Sequence, residues 1–445
     1  MNRRNFLKKA GIATAGLSLG PYILPSGRLF ASTGTRIANH VVFVLFAGGI
    51  RNHESVHKQY LATQAGHVAE GNLMRNMLNG GAPTSEIIHE NWSPILGSSL
   101  QQQGTLFQEL KYNSPYTGHF DGNVTGMTGN YTGGGLMLGF NPSQPTIFEY
   151  YRKHSSPSKN AANAWWLANG LGQNPALNHS KHELYGSQYG ANFLQSSSIF
   201  QNYGQDYLNN IVNLGVDDLT RFHTVNDFLN NSFDKTAGEL PGIINTGPDR
   251  DLIKQFMKET VDATAADAID WCLPGGAPTY QLNGDMVNVS YAWQVLNKLQ
   301  PELMVLNTTS VDACHSSFKD YIENLHKADY AIGWLWDKIQ SHPELGGDTI
   351  LICMPEHGRN NDFNNLVDDM GMRGLDHTGD DSSKTVFALI SGPSDKVVQN
   401  QVLGSMGSSV GECVDIVPTI AHILGFLDDI PPGMIAGRAL TEAFV

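Results

Sequence analysis

Runs of uninterrupted apolar residues alternate along the chain with stretches whose apolar positions recur every three or four residues. Residues 41–46 (VVFVLF), 303–306 (LMVL), 349–354 (TILICM) and 384–391 (KTVFALIS) are of the first kind. Continuous apolar runs of this length predict strands buried on both faces. The run at 349–354 lies between Gly346-Gly347-Asp348 and Pro355, and the run at 41–46 turns at Ala47-Gly48-Gly49. The second kind is clearest at 318–339, where apolar residues at 321, 325, 328, 332, 335 and 339 predict a helix laid on a sheet. Helices are also expected at 252–273 and 287–300, with a closing one at 413–426 and shorter ones at 106–110, 199–212 and 225–233. Strands separated by helices in this order predict an α/β sandwich, with a mainly parallel central sheet flanked by helices.

Two stretches break this rhythm. Residues 114–135 (SPYTGHFDGNVTGMTGNYTGGG) are dense in Gly and Thr, and read as a tight loop whose backbone N–H groups and hydroxyls face an anion or the solvent. The loop lacks the Gly-Lys-Thr/Ser ending of a nucleotide-phosphate loop. Residues 140–300 mix Tyr and Trp with Asn, Ser and Gly, and read as a long insertion, either a cap over a crevice or loose packing within one domain.

With 445 residues, 41% hydrophobic and 16% charged, the chain is long enough for a large core and one elaborated domain or two ordinary ones. A formal net charge of -14 argues against a nucleic-acid partner, which needs a basic surface. None of the cysteines, Cys272, Cys314, Cys353 and Cys413, forms a C-x-x-C pair, and Cys353 inside its apolar run reads as a small buried hydrophobe.

The first 33 residues stand apart from the body at 34–445. Arg3-Arg4, then Phe6-Leu7-Lys8 and a weakly apolar Ala/Gly/Leu stretch, resemble a bacterial twin-arginine export signal. The resemblance implies the twin-arginine machinery as a partner, a periplasmic or otherwise exported protein, and no stable membrane span in the mature chain.

Candidate chemistry collects where the strands end. Glu356 and His357 follow the run at 349–354, Asp312 and His315 precede the long helix, and His377 precedes the run at 384–391. In open α/β sheets ligands bind outside the carboxyl ends of strands. This mixture of oxygen and nitrogen ligands suits Zn²⁺, with Mn²⁺ as the alternative. Arg51, His53 and Glu54 follow the glycine turn at 48–49 and are candidates to line the same crevice.

Together TILICMPEHGRN, LDHTGDD, SGP, VDIVPTIAHILG and IPPGMIAGRAL resemble the carboxyl half of the alkaline phosphatase superfamily, which includes sulfatases and phosphoglycerate-mutase-like enzymes. The resemblance covers 40–54 and 303–442 well and the stretch near 125 loosely. It implies an α/β core with two divalent ions: Asp312, His315 and His377 around the first, Glu356 and His357 around the second. Thr125 would be the nucleophile, with Thr128 as its rival, and Arg51 would neutralise the substrate oxyanion. The chain departs from the family at three points. Ala47-Gly48 stands where the first strand of the family ends in a metal-binding Asp, Glu356-His357-Gly358 stands for Asp-His-Gly, and the spacing from Asp312 to His315 is one residue shorter than is common in the family. Glu54 is the candidate substitute for the missing carboxylate. The implied function is an exported metal-dependent hydrolase of small-molecule or glycan phosphate or sulfate esters. The alternative is a non-catalytic binding or structural protein on the same fold.

Overall fold

In a computed structural model, the described residues are 34–132, 141–155, 160–168, 178–196 and 247–445. The stretch expected to be an export signal and the helices expected at 199–212 and 225–233 lie outside them. Eight strands form one sheet: β1 (His40–Phe46), β2 (Gly104–Lys111), β3 (Ala164–Ala168), β4 (Asn192–Leu194), β5 (Leu303–Thr308), β6 (Thr349–Pro355), β7 (Thr385–Ser391) and β8 (Gln401–Leu403). Their order is β4-β3-β5-β1-β6-β7-β2-β8, and β7 alone runs against the others. The expected α/β sandwich with a mainly parallel sheet is therefore the observed architecture.

The six described helices are α1 (His119–Thr128), α2 (Ile147–His154), α3 (Gly247–Ala265), α4 (Gly284–Leu299), α5 (Phe318–Ser341) and α6 (Ile416–Ile423). Alternate residues of the central strands feed two separate cores. Val42, Val44 and Phe46 of β1 pack with α3, α4 and α5, while Val41, Phe43 and Leu45 pack with α2 and α6. This two-sided burial is why these strands read as continuous apolar runs. Each such side chain removed from water contributes about 1.5–3 kcal/mol. Helix α5 starts where the Ser317 side chain accepts the N–H of Asp320. Helix α4 starts at Asn283, which accepts from Met286.

In the described parts of 140–300, β3 and β4 extend the sheet beyond β5 and α4 packs on α5. Two expectations are corrected. Residues 106–110 are part of β2, held between β7 and β8, so pairing overrides a helix-compatible composition. The stretch read as a loop at 114–135 contains α1. Its glycines serve close packing: a Cβ on Gly122 would stand 2.7 Å from the Glu356 carbonyl oxygen. All four cysteines are free and buried. No helix among the described residues is long and apolar enough to cross a membrane.

Candidate metal centre

One edge of the sheet gathers every segment expected to carry chemistry. β1 pairs with β5 and β6 so that Phe46 lies beside Thr308 and Pro355, and the three chains leave the sheet together. Because β7 is antiparallel, its start opens at that edge and delivers the segment carrying His377. β2 runs with β6, so its end at Lys111 leads to the same edge and into α1, which begins at His119. The glycine turn after β1 admits this crowding. Gly48 and Gly49 have φ of +108° and +73°, and a Cβ on Gly49 would run into the His357 ring.

His119, Asp312, His315 and His377 each place one ligand atom within 4.8 Å of the others. Asp312 and His315 sit in a 3-10 turn, Ser310–His315, that precedes α5 rather than capping it. Asp312 Oδ1 is 3.4 Å from His315 Nε2 and 3.5 Å from His119 Nε2. It also accepts from Arg359 Nη2 at 2.7 Å, and the other Arg359 nitrogen donates to the Leu375 carbonyl. His315 Nδ1 lies 2.6 Å from Asp376 Oδ1, and His377 Nδ1 lies 2.5 Å from the Thr117 carbonyl. Carbonyl oxygen only accepts, so His377 Nδ1 carries the proton and its Nε2 is a lone pair. Burial drives the His377 pKa far below its ordinary value, and the nearby His357 and Arg359 add to this. Neutral imidazole is the form that binds metal.

His119, Glu356 and His357 form a second group that shares His119 with the first. Glu356 is fully buried, yet it accepts from Gly48 N, His119 Nδ1 and Asn123 Nδ2. Burial opposes its charge, but His119 and His357 outweigh burial and hold the carboxyl far below the usual range. The same pair raises His119, where burial again opposes charge and Glu356, then Asp312, outweigh it. His357 Nδ1 lies 2.7 Å from the Gly358 carbonyl, and burial lowers its pKa. Its ring stacks on His377 with centroids 3.9 Å apart.

Of the residues singled out in the sequence, Asp312, His315, Glu356, His357 and His377 are brought together. Thr125 is not. Six residues past His119 on a helix, it lies about 9 Å further along the axis. Its fully buried hydroxyl pairs with the Tyr112 hydroxyl at 3.1 Å. Thr128 is equally buried and bonds the Asn130 carbonyl. Arg51 and Glu54 are spent on each other in a buried ion pair, with Arg51 Nε donating to Glu54 at 2.8 Å. Neither the oxyanion role for Arg51 nor the substitute-ligand role for Glu54 follows from that placement, although Arg51 Nη1 has no hydrogen-bond partner among the described residues.

Reading the sequence missed His119, Arg359, Asn123 and Asp376. His119 and Asn123 are one helical turn apart, and Asn123 reaches back to Glu356 and accepts from Asn307. That pairing is legible only if the stretch is recognised as a helix. Asp376 and Arg359 lie within the quoted motifs, beside His377 and two residues after His357, but neighbourhood in sequence does not say which ring a carboxylate will meet.

No family model and no curated relative matches the chain. A protein of the alkaline phosphatase superfamily from Vibrio parahaemolyticus aligns with TM-score 0.43 and 13% identity over 95% of this chain and 74% of that one. A substituted form of the alkaline phosphatase PafA aligns with TM-score 0.46 and 9% identity over 92% of this chain and 99% of that one. The PsFucS1 sulfatase from Pseudoalteromonas sp. aligns with TM-score 0.40 and 12% identity over 91% and 71%.

Proposed function

We propose that the chain is a metal-dependent hydrolase of phosphate or sulfate esters, exported by the twin-arginine route to act on small-molecule or glycan esters. The supporting observation is the ligand set itself. Asp312, His315 and His377, with His119, present one carboxylate and three imidazoles at the carboxyl edge of the sheet. Each of these rings has its Nδ1 against an oxygen, which leaves Nε2 for a ligand bond. That chemistry fits Zn²⁺ or Mn²⁺. Asp312 and His315 are 26% and 37% exposed, so the group opens to a substrate rather than being sealed.

When bound, such an ion supplies Lewis acidity at the ester oxygens. The chain's own residues set the geometry. Arg359 fixes Asp312, Asp376 fixes His315, and the Thr117 carbonyl fixes His377. With Thr125 buried, water is the attacking group in this reading. Its oxygen bonds to phosphorus or sulfur, the ester bond breaks, and the proton that water loses ends on the leaving alcohol. One in-line displacement inverts the configuration at the transferred atom, whereas a covalent enzyme intermediate would retain it.

Metal-reconstituted protein is expected to hydrolyse chromogenic phosphate or sulfate esters, and His377→Ala to lose at least about a hundredfold, as for removal of a group that acts at the reacting centre. The burial of Thr125 and the Ala47 at the end of β1 favour a second reading, a non-catalytic protein on this fold. Turnover no higher than that of chelated protein, with both ester classes, selects that second reading.

A further inference from the structure

Distances within the two ligand groups separate positions that an ion can share from positions that only a proton can. Two ligand atoms on one Zn²⁺, each about 2.0–2.2 Å from it at tetrahedral angles, lie about 3.3 Å apart. Asp312 Oδ1 stands 3.4 Å from His315 Nε2 and 3.5 Å from His119 Nε2, spacings that leave room for an ion between them. Glu356 Oε1 stands 3.2 Å from His357 Nε2, a spacing of the same kind, but only 2.6 Å from His119 Nδ1, which is hydrogen-bond distance. A proton fits there and an ion does not.

The surroundings of Glu356 agree. Its Oε1 also accepts the N–H of Gly48, so both lone pairs of that oxygen are used, and its second oxygen accepts from Asn123 Nδ2. With both lone pairs of Oε1 given to N–H donors, none is left for a cation, whereas Asp312 Oδ1 has a single N–H donor among the described residues, Arg359, and keeps one free. The strand end that could have brought a further carboxylate carries Ala47 instead. With Nδ1–H given to Glu356, His119 turns Nε2 toward Asp312, as His315 does with Nδ1 against Asp376 and as His377 does with Nδ1 against the Thr117 carbonyl. Three imidazoles thus share one tautomer, each fixed from behind by an oxygen. An oxygen acceptor behind each ring is the outer shell of a histidine metal site.

We infer that the chain binds a single ion, held by His119, Asp312, His315 and His377, and that Glu356 is the carboxylate that fixes His119 rather than a ligand of a second ion. His357, stacked on His377 and with Nδ1 against the Gly358 carbonyl, turns Nε2 to Glu356 Oε1 at 3.2 Å, an oxygen whose lone pairs Gly48 and His119 already take. This inference rests on the metal-dependent reading above and deepens it, since one ion and no hydroxyl nucleophile suit a single displacement by water.

The test is stripped protein titrated with Zn²⁺ alone, read by elemental analysis after gel filtration and by calorimetry, with Co²⁺ absorption reporting coordination number. One ion per chain and a four-coordinate Co²⁺ spectrum are expected. Glu356→Gln keeps one ion and weakens it about 10- to 100-fold, the range for an outer-shell partner. His119→Gln, which loses a ligand, weakens it further and shifts the Co²⁺ spectrum. Circular dichroism establishes that both variants fold, and Glu356→Asp, if Gln misfolds, keeps the carboxylate for comparison. Two ions in the native chain, falling to one in Glu356→Gln, would overturn the inference and leave the hydrolase reading standing. An unchanged affinity in His119→Gln would also overturn it. No binding of Zn²⁺, Co²⁺ or Mn²⁺ would overturn both.

Discussion

Gly122 ties the fold to the centre, and replacing it by alanine tests that link. In α1 the glycine lies against the backbone of Glu356, where an added Cβ would be 2.7 Å from the carbonyl oxygen and 3.0 Å from the Glu356 Cβ. Ordinary contact begins at 3.4 Å, so helix and strand end must part by about 0.7 Å, and neither neighbour is a flexible side-chain tip. Overpacking of this kind costs about 1–3 kcal/mol. Alanine returns about 1 kcal/mol as the better helix former, for a net loss of about 0–2 kcal/mol. Gly126 in the same helix is the internal control, because its added Cβ would meet only the tips of Leu45 and Met354, at 3.3 and 3.5 Å. There the helix preference stands alone, and Gly126→Ala should be more stable by about 1 kcal/mol. Urea melts of the two variants should therefore differ by about 1–3 kcal/mol. Moving α1 also moves His119 and Asn123 against Glu356, so Zn²⁺ affinity in Gly122→Ala should fall about 10- to 100-fold, and not in Gly126→Ala. Equal melts and equal affinities in the two variants would refute the close-approach reasoning.

Two further outcomes are expected. His326 donates from Nδ1 to the Leu73 carbonyl and accepts the N–H of Trp92 at Nε2, each at 3.0 Å, so only its neutral form fits; burial, helped by His89, pushes its pKa down to about 4. The unfolded chain therefore takes the proton first, and stability is lost as pH falls from about 6.5 to 4, by about 3 kcal/mol for this ring. Urea melts of chelated protein across that window should show the loss, with a shallower slope in His326→Gln; parallel slopes would count against it. Replacing Arg3 and Arg4 together by lysine should leave the precursor in the cytoplasm, and undiminished periplasmic protein on fractionation would rule out the twin-arginine route.

The sequence by itself determined the central strands, because a strand covered on both faces has no polar positions to alternate with. That made β1, β5, β6 and β7 legible to within two residues, and α5 by its spacing. It also placed Asp312, His315, Glu356, His357 and His377 at strand ends, and the structure brings those five to one edge. It could not determine that 106–110 is a strand, since only the pairing with β7 and β8 decides that. Nor could it show that α1 is a helix, because its glycines look like loop residues until Glu356 and Leu45 are packed against them. Once α1 is a helix, Thr125 turns into the core toward Tyr112 and His119 stands at the amino end beside Asp312 and Glu356. The protonation pattern around Glu356 was equally out of reach.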